Sequence, residues 1–308
     1  MSLTHFHVVP APIGHGKYDG VVVADGGGGS SILVYAPMNS DHIALLDSDS
    51  RTFSNVSLPF SGHHKYSGAA AVGGSVYFAP HSADTVGILD VVTRQFSTVP
   101  IFNGQQYKYA GAAYSAASGK LYFGPYNERN VGVFEPAGAL FSTIPLPAAA
   151  LPGGRHDGAH YSGAVSSRSG EIVCFTPYNS NVVLLLNTRD DSFTTVPLTG
   201  HAVLGDARFV GGAVVEDAGG AGSGSFVYLA PYNTNAIGVV DVERATFASI
   251  AIPFRGFAKY AGAATLNDKV FFAPCTRKSH HLATTTNCAE RRVSARTDAQ
   301  TIRTMWAC

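Results

Sequence analysis

Residues 65–100 read KYSGAAAVGGSVYFAPHSADTVGILDVVTRQFSTVP. Four short apolar or β-branched segments stand in this stretch, separated by Gly, Pro, Ser and Asp, which is the pattern of strands joined by turns. No apolar period of the helical kind competes with it.

The same unit recurs along the chain. It opens with a cation, an aromatic, any residue and Gly: Lys17-Tyr18-Asp19-Gly20, Lys65-Tyr66-Ser67-Gly68, Lys108-Tyr109-Ala110-Gly111, His160-Tyr161-Ser162-Gly163, Arg208-Phe209-Val210-Gly211 and Lys259-Tyr260-Ala261-Gly262. The steps between the aromatics are 48, 43, 52, 48 and 51 residues. An apolar run then ends at Pro37, Pro80, Pro125, Pro177, Pro231 or Pro274. Ten residues after each of the first five prolines stands an acid or its amide: Asp47, Asp90, Glu135, Asn187 and Asp241. Phe-x-x-Val/Ile closes each of these five units, from Phe53/Val56 to Phe247/Ile250.

A repeat of this length built from four strands cannot cover its own faces and does so by packing against its neighbours, as a propeller blade does. The expectation is an all-β chain, a six-bladed β-propeller over residues 1–274. Phe6-His7-Val8-Val9-Pro10 has the form of Phe96-Ser97-Thr98-Val99-Pro100, so a strand at about residues 5–10 is expected to complete the last blade and close the ring, removing exposed edges.

The repeat stops at Pro274. Residues 275–308 hold six Arg/Lys against two acids, three of the four Cys (Cys275, Cys288, Cys308) and the single Trp306, without apolar alternation. A divergent, basic, poorly ordered tail is expected. Its composition fits a diverged C-terminus or a change of reading frame in the gene.

Composition bounds the function. Lys+Arg and Asp+Glu cancel at 21 each, which argues against sequence-specific nucleic-acid binding driven by a positive field. The charged fraction is only 14 %, against roughly 25 % in ordinary globular domains. No apolar run has the length of a membrane helix. The sequence carries no secretory-signal pattern at residues 1–16, and four Cys do not make a disulfide framework, so a cytoplasmic protein, a monomer, is the expectation.

Up-and-down alternation puts the loop leading into each first strand and the loop between the second and third strands on one face. That face is expected to carry an inner ring of Lys17, Lys65, Lys108, His160, Arg208 and Lys259, and an outer set of Asn39, Ser82, Asn127, Asn179 and Asn233. The lead-in loops add His15, His63, His64, His156 and Asp157, and His81 stands where later units have Tyr. Cations converging on a funnel favour an anionic ligand. Repeated positions also have an architectural explanation: Gly permits close approach of the inner strands, Asn after Pro-Tyr bonds turn backbone, and the acids brace the turn before the fourth strand. Function is therefore sought in departures from the repeat: Asp19, Met38, His81, Arg129 and the His63-His64 and His156-Asp157 insertions.

The run K-Y-x-G-A…V-Y-F-A-P-Y-N-x-N-x-[IV]-G-V-[VL]-D resembles a tandem β-propeller repeat family of protist, algal and bacterial proteins, mostly of unassigned function. More loosely it is similar to propellers of the SMP-30/gluconolactonase, streptogramin-lyase and quinoprotein kinds. The resemblance implies the fold. Metal-dependent lactonase-type propellers hold their ion with a carboxylate and Asn and Asp ligands; here Asn127, Asn179 and Asn233 are repeat residues with no unique Glu beside them. Two functions are carried forward. The first is a non-enzymatic recognition platform, without cofactor, for a protein or anionic small ligand. The alternative is a metal-dependent hydrolase or lyase with a divalent ion in the central channel.

Overall fold

The aromatic of each Lys-Tyr-x-Gly motif is the first residue of a strand, and each proline is the last residue of the next one. The computed structural model describes residues 16–101, 104–151, 158–200, 205–216, 224–253, 255–266, 269–275, 292–294 and 301–303. The chain forms two compact units, divided between Tyr107 and Lys108.

In the first unit, β1 (Tyr18–Asp25), β2 (Ser31–Pro37), β3 (His42–Asp47) and β4 (Phe53–Ser57) form one antiparallel sheet in chain order. A second contains β5 (Tyr66–Val72), β6 (Ser75–Pro80), β7 (Thr85–Asp90) and β8 (Phe96–Pro100). The second unit has three sheets of the same topology. The third sheet of the chain is β9 (Tyr109–Ser115), β10 (Lys120–Pro125), β11 (Asn130–Glu135) and β12 (Leu140–Pro145). The fourth is β13 (Tyr161–Ser166), β14 (Ile172–Pro177), β15 (Val182–Asn187) and β16 (Phe193–Pro197), and the fifth is β17 (Phe209–Glu216), β18 (Ser225–Pro231), β19 (Ala236–Asp241) and β20 (Thr246–Ala251). A sixth sheet has two strands among the described residues, β21 (Tyr260–Leu266) and β22 (Lys269–Pro274). In the basic tail, β23 (Arg292–Ser294) pairs with β24 (Thr301–Arg303). Residues 5–10, expected to close the ring, lie outside the described residues, as does most of the tail.

Successive sheets pack face on face within each unit. Ile43 and Leu45 of the first sheet meet Tyr66, Val76 and Phe78 of the second. In the second unit Val131 and Val133 meet Tyr161, Phe175 and Leu186, while Val183 and Leu185 meet Phe209, Val227 and Leu229. Burying each such side chain contributes about 1.5–3 kcal/mol, which is why the second and third strands are nearly continuous apolar runs. The fourth strands keep only the Phe and the Val three residues later partly covered, as in Phe53–Ser57 and Phe96–Pro100.

The motif glycine has a steric reason. Gly111 (φ 83°), Gly163 (φ 132°) and Gly211 (φ 70°) sit where the first strand slips register against the second. A Cβ on Gly111 would lie 2.6 Å from Gly163 Cα, and one on Gly163 would lie 2.8 Å from Gly211 Cα. The innermost strands therefore approach backbone to backbone. Only Gly has both the conformation and the volume for that.

Candidate functional site

The lead-in loop to each first strand and the Pro-x-Asn segment after each second strand meet through one repeated junction. The carbonyl of the motif cation accepts several backbone N–H groups at once. Lys17 O takes those of Met38, Asn39 and Ser40 at 2.9, 3.0 and 3.1 Å, and Lys108 O those of Tyr126, Asn127 and Glu128 at 2.8, 3.2 and 3.4 Å. His160 O is used in the same way by Tyr178, Asn179 and Ser180.

The Asn of the segment clasps two lead-in loops together. Asn179 Oδ1 accepts the Ala207 N–H at 2.9 Å, while its Nδ2 donates to Gly158 O at 3.4 Å. Asn233 accepts from Ala258 N at 2.9 Å and donates to Asp206 O at 3.1 Å. Asn127 accepts from Ala159 N at 2.9 Å, and Asn39 from His64 N at 2.8 Å while donating to Gly16 O at 2.8 Å. Ser82 takes this place in the second sheet, its Oγ accepting from Tyr107 N at 3.3 Å. The residue receiving the clasp, one before the motif cation, is always left-handed: His64 (φ 54°), Tyr107 (φ 56°), Ala159 (φ 49°), Ala207 (φ 51°) and Ala258 (φ 50°). Left-handed geometry costs a non-glycine residue about 1–2 kcal/mol, and the clasp offsets part of that.

The side chains of Lys65, Arg208 and Lys259 turn into these junctions. Lys65, Lys108, His160 and Arg208 are buried. Lys65 Nζ donates to Gly62 O at 2.5 Å and to the exposed Asp41 at 3.3 Å. Arg208 donates to Asn179 O (3.0 Å), Ser180 O (3.1 Å) and Asn181 Oδ1 (2.8 Å). Desolvation pulls its guanidinium below the usual arginine range. Lys259 Nζ reaches Gly256 O (2.6 Å) and Asn233 O (3.1 Å), and burial lowers its ammonium as well. Lys17 is half-buried and His63 exposed. His15, His156 and Asp157 lie outside the described residues.

Each unit also holds a group of side chains beside its own junctions. In the first, the departures His64 and His81 converge with Tyr107: Tyr107 lies edge-on to both imidazoles, at ring centroid distances of 5.3 and 5.2 Å, and the imidazoles are 6.5 Å apart. His64 Nδ1 is buried with no hydrogen-bond partner among the described residues. Tyr107 was missed by sequence reading. Its signal was there: at the position before the cation, three sheets carry Ala and two carry His64 and Tyr107.

In the second unit, Tyr126, Tyr178 and Tyr232 form a row, their rings 5.7 and 6.1 Å apart. All three are half-buried. Burial, and then the neighbouring Tyr126, push the Tyr178 phenol up to about 12, so it remains a neutral O–H at physiological pH. The backbone N–H groups of His160, Arg208 and Lys259 bond the carbonyls of Tyr126, Tyr178 and Tyr232 respectively, so each ring follows directly on a junction. Among the described residues no three His, Cys, Asp or Glu side chains are grouped as metal ligands.

No known family and no curated protein matches the sequence. Solved structures do match. Virginiamycin B lyase from Staphylococcus aureus is similar with a TM-score of 0.64 and 14 % identity, over 84 % of this chain and 78 % of that one. An auxiliary nutrient binding protein from Bacteroides thetaiotaomicron gives 0.56 and 13 %, over 81 % and 64 %. A structure of the nidogen/laminin complex gives 0.54 and 11 %, over 80 % and 84 %. These are β-propellers, and together with the sheet topology they establish a propeller fold for this chain. At such identities the likeness is one of fold.

Proposed function

We propose that the chain is a non-enzymatic recognition platform, a six-bladed propeller closed by its N-terminal strand, that takes an anionic, oxygen-rich small ligand on the face bearing the Pro-x-Asn segments. The row Tyr126, Tyr178 and Tyr232 carries this reading. The repeated amides and the side chains of Lys65, Arg208 and Lys259 are bonded within the junctions, whereas the three phenols cluster in one partly exposed row, Tyr178 neutral and hydrogen-bonded to Tyr126. Clustered neutral phenol O–H groups suit carboxylates and phosphate esters as hydrogen-bond donors.

The test is a thermal-shift series with citrate and simple sugar phosphates, comparing wild type with a Tyr126→Phe/Tyr178→Phe/Tyr232→Phe triple variant. A ligand-dependent rise in Tm confined to the wild type supports the proposal; equal behaviour of the two proteins refutes it. The hydrolase or lyase alternative draws on His64, His81 and Tyr107. Stabilisation by Ca²⁺, Mg²⁺ or Zn²⁺ that EDTA reverses and His81→Ala abolishes would favour it over the platform.

A further inference from the structure

Tyr126, Tyr178 and Tyr232 each stand one residue after the closing proline of β10, β14 and β18. Their N–H groups bond Lys108 O, His160 O and Arg208 O at 2.8, 2.9 and 2.8 Å, so the repeated junction sets the step from one ring to the next. Tyr126 and Tyr178 are 5.7 Å apart between centroids, with their planes at 49°, and their side chains are hydrogen-bonded to one another. Tyr178 and Tyr232 are 6.1 Å apart at 43°.

A tyrosine side chain has one polar atom, so the bond between Tyr126 and Tyr178 joins phenol oxygen to phenol oxygen. The ring carbons nearest such a bond are the two ortho to the hydroxyls, and these are brought side by side. They are also where a phenol that has lost an electron and a proton carries reactive unpaired spin, since the para carbon is blocked by Cβ. Ring distance alone does not give this arrangement. In the first unit Tyr18 and Tyr35 lie 5.9 Å apart at 55°, but the Tyr18 hydroxyl accepts that of Ser40 at 3.3 Å. The fully buried Tyr66, Tyr109 and Tyr161 have their hydroxyls bonded to Thr85, Asn130 and Ala150 O, none of them a phenol.

We propose that Tyr126 and Tyr178 form an oxidative modification site, at which a one-electron oxidant of the peroxidase and peroxide class couples the two rings into a dityrosine that ties the third sheet to the fourth. Each phenol gives one electron to the oxidant and its hydroxyl proton to solvent. The two radicals join by one new C–C bond between the facing ortho carbons, and the hydrogen on each of those carbons moves to the ring's own oxygen by way of solvent, restoring both phenols. Hydrogen peroxide takes up the two electrons and two protons and leaves as two waters. Holding the reacting carbons together beforehand is what favours this pair over others. The link constrains the unfolded chain between residues 126 and 178 as a disulfide would. It depends on the geometry of the pair and not on the anionic ligand proposed for the row.

The test treats the dilute full chain with a haem peroxidase and hydrogen peroxide, isolates the monomer, and reads dityrosine fluorescence and the mass spectrum of the digest. The expected product is a peptide pair joined at Tyr126 and Tyr178, lighter by two hydrogen atoms than its parts. It should be at least about tenfold more abundant than pairs joining Tyr178 to Tyr232 or Tyr18 to Tyr35. Tyr126→Phe and Tyr178→Phe, which keep the rings, should abolish the monomer fluorescence, and Tyr232→Phe should retain it. The coupled monomer should melt about 5 °C above the identically treated Tyr126→Phe protein. The peptide map is read on the unaltered chain, so it stands whatever the variants do to folding. A monomer without the cross-link, equal or greater coupling at either other pair, fluorescence that survives Tyr126→Phe, or no gain in Tm would overturn the inference. Cross-links confined to dimers would do the same, since they report contact between copies.

Discussion

Replacing Asn179 by Ala removes one clasp of the junction and leaves the rest of it intact. The lost acceptor leaves the N–H of Ala207, a residue only 9 % exposed, without its 2.9 Å partner. An unsatisfied, nearly buried donor costs about 1–3 kcal/mol. The 3.4 Å bond from Nδ2 to Gly158 is long enough to add only a few tenths. Arg208 donates to the carbonyls of Asn179 and Ser180 and to Asn181 Oδ1, none of which the substitution deletes. The expected loss is therefore about 2 kcal/mol. With an unfolding entropy of about 2.1 cal/mol/K per residue over 308 residues, that corresponds to a fall in Tm of about 3 °C. Asn179→Asp retains an oxygen acceptor for Ala207 and gives up only the weak donor, so it should lose less than about 1 kcal/mol. Urea denaturation with unchanged m, alongside calorimetry, reads both variants. Asn179→Ala within about 0.5 kcal/mol of wild type, or Asp as damaging as Ala, would refute the clasp.

Gly163→Ala should cost about 3 kcal/mol or more, since the new methyl meets the Gly211 backbone, while Gly119→Ala, left-handed but with nothing within 4 Å, should cost only about 1–2 kcal/mol; chemical denaturation of the pair separates crowding from backbone conformation. Tyr161→Phe removes a buried hydroxyl bonded to Ala150 O at 2.9 Å and Ser180 Oγ at 3.0 Å and should lower stability by about 1–2 kcal/mol, again by denaturation. A maleimide at pH 8 should label the exposed Cys275 in the native protein and leave Cys174, whose thiol burial raises, until the chain unfolds; mass spectrometry after digestion reads both. The Asp47, Asp90 and Asp190 carboxyls are held below the usual range by turn N–H and hydroxyl groups of Ser50, Thr93 and Ser192. A depressed folded-state value means the unfolded chain takes up protons first, so this stabilisation is present above about pH 4 and is lost as pH falls further; Asp47→Asn should flatten the acid limb of a Tm-against-pH curve.

The strands were legible because period two, proline stops and turn residues act locally. Strand starts at the six motif aromatics and strand ends at the six prolines follow from that chemistry alone. The acids at strand ends were legible for the same reason: Asp47 accepts from Asp49 N, Ser50 N and Ser50 Oγ within the turn itself. The direction of the Lys65 and Arg208 side chains was not legible. A cation that heads a strand reads as facing a funnel, and only packing between adjacent sheets shows it turned into the junction and bonded to carbonyls. Tyr107 escaped notice because its role depends on His64 and His81, which are 43 and 26 positions away in the chain.

The clasp also has a direction in time. Each amide oxygen lies upstream of the N–H it holds: Asn39 precedes His64, Asn127 precedes Ala159, Asn179 precedes Ala207 and Asn233 precedes Ala258. During synthesis from the N-terminus, the acceptor has left the ribosome before its donor is made. Every finished sheet thus presents a waiting catch for the next one, and assembly can advance as a ratchet, one repeat at a time, with the growing end as its only open step.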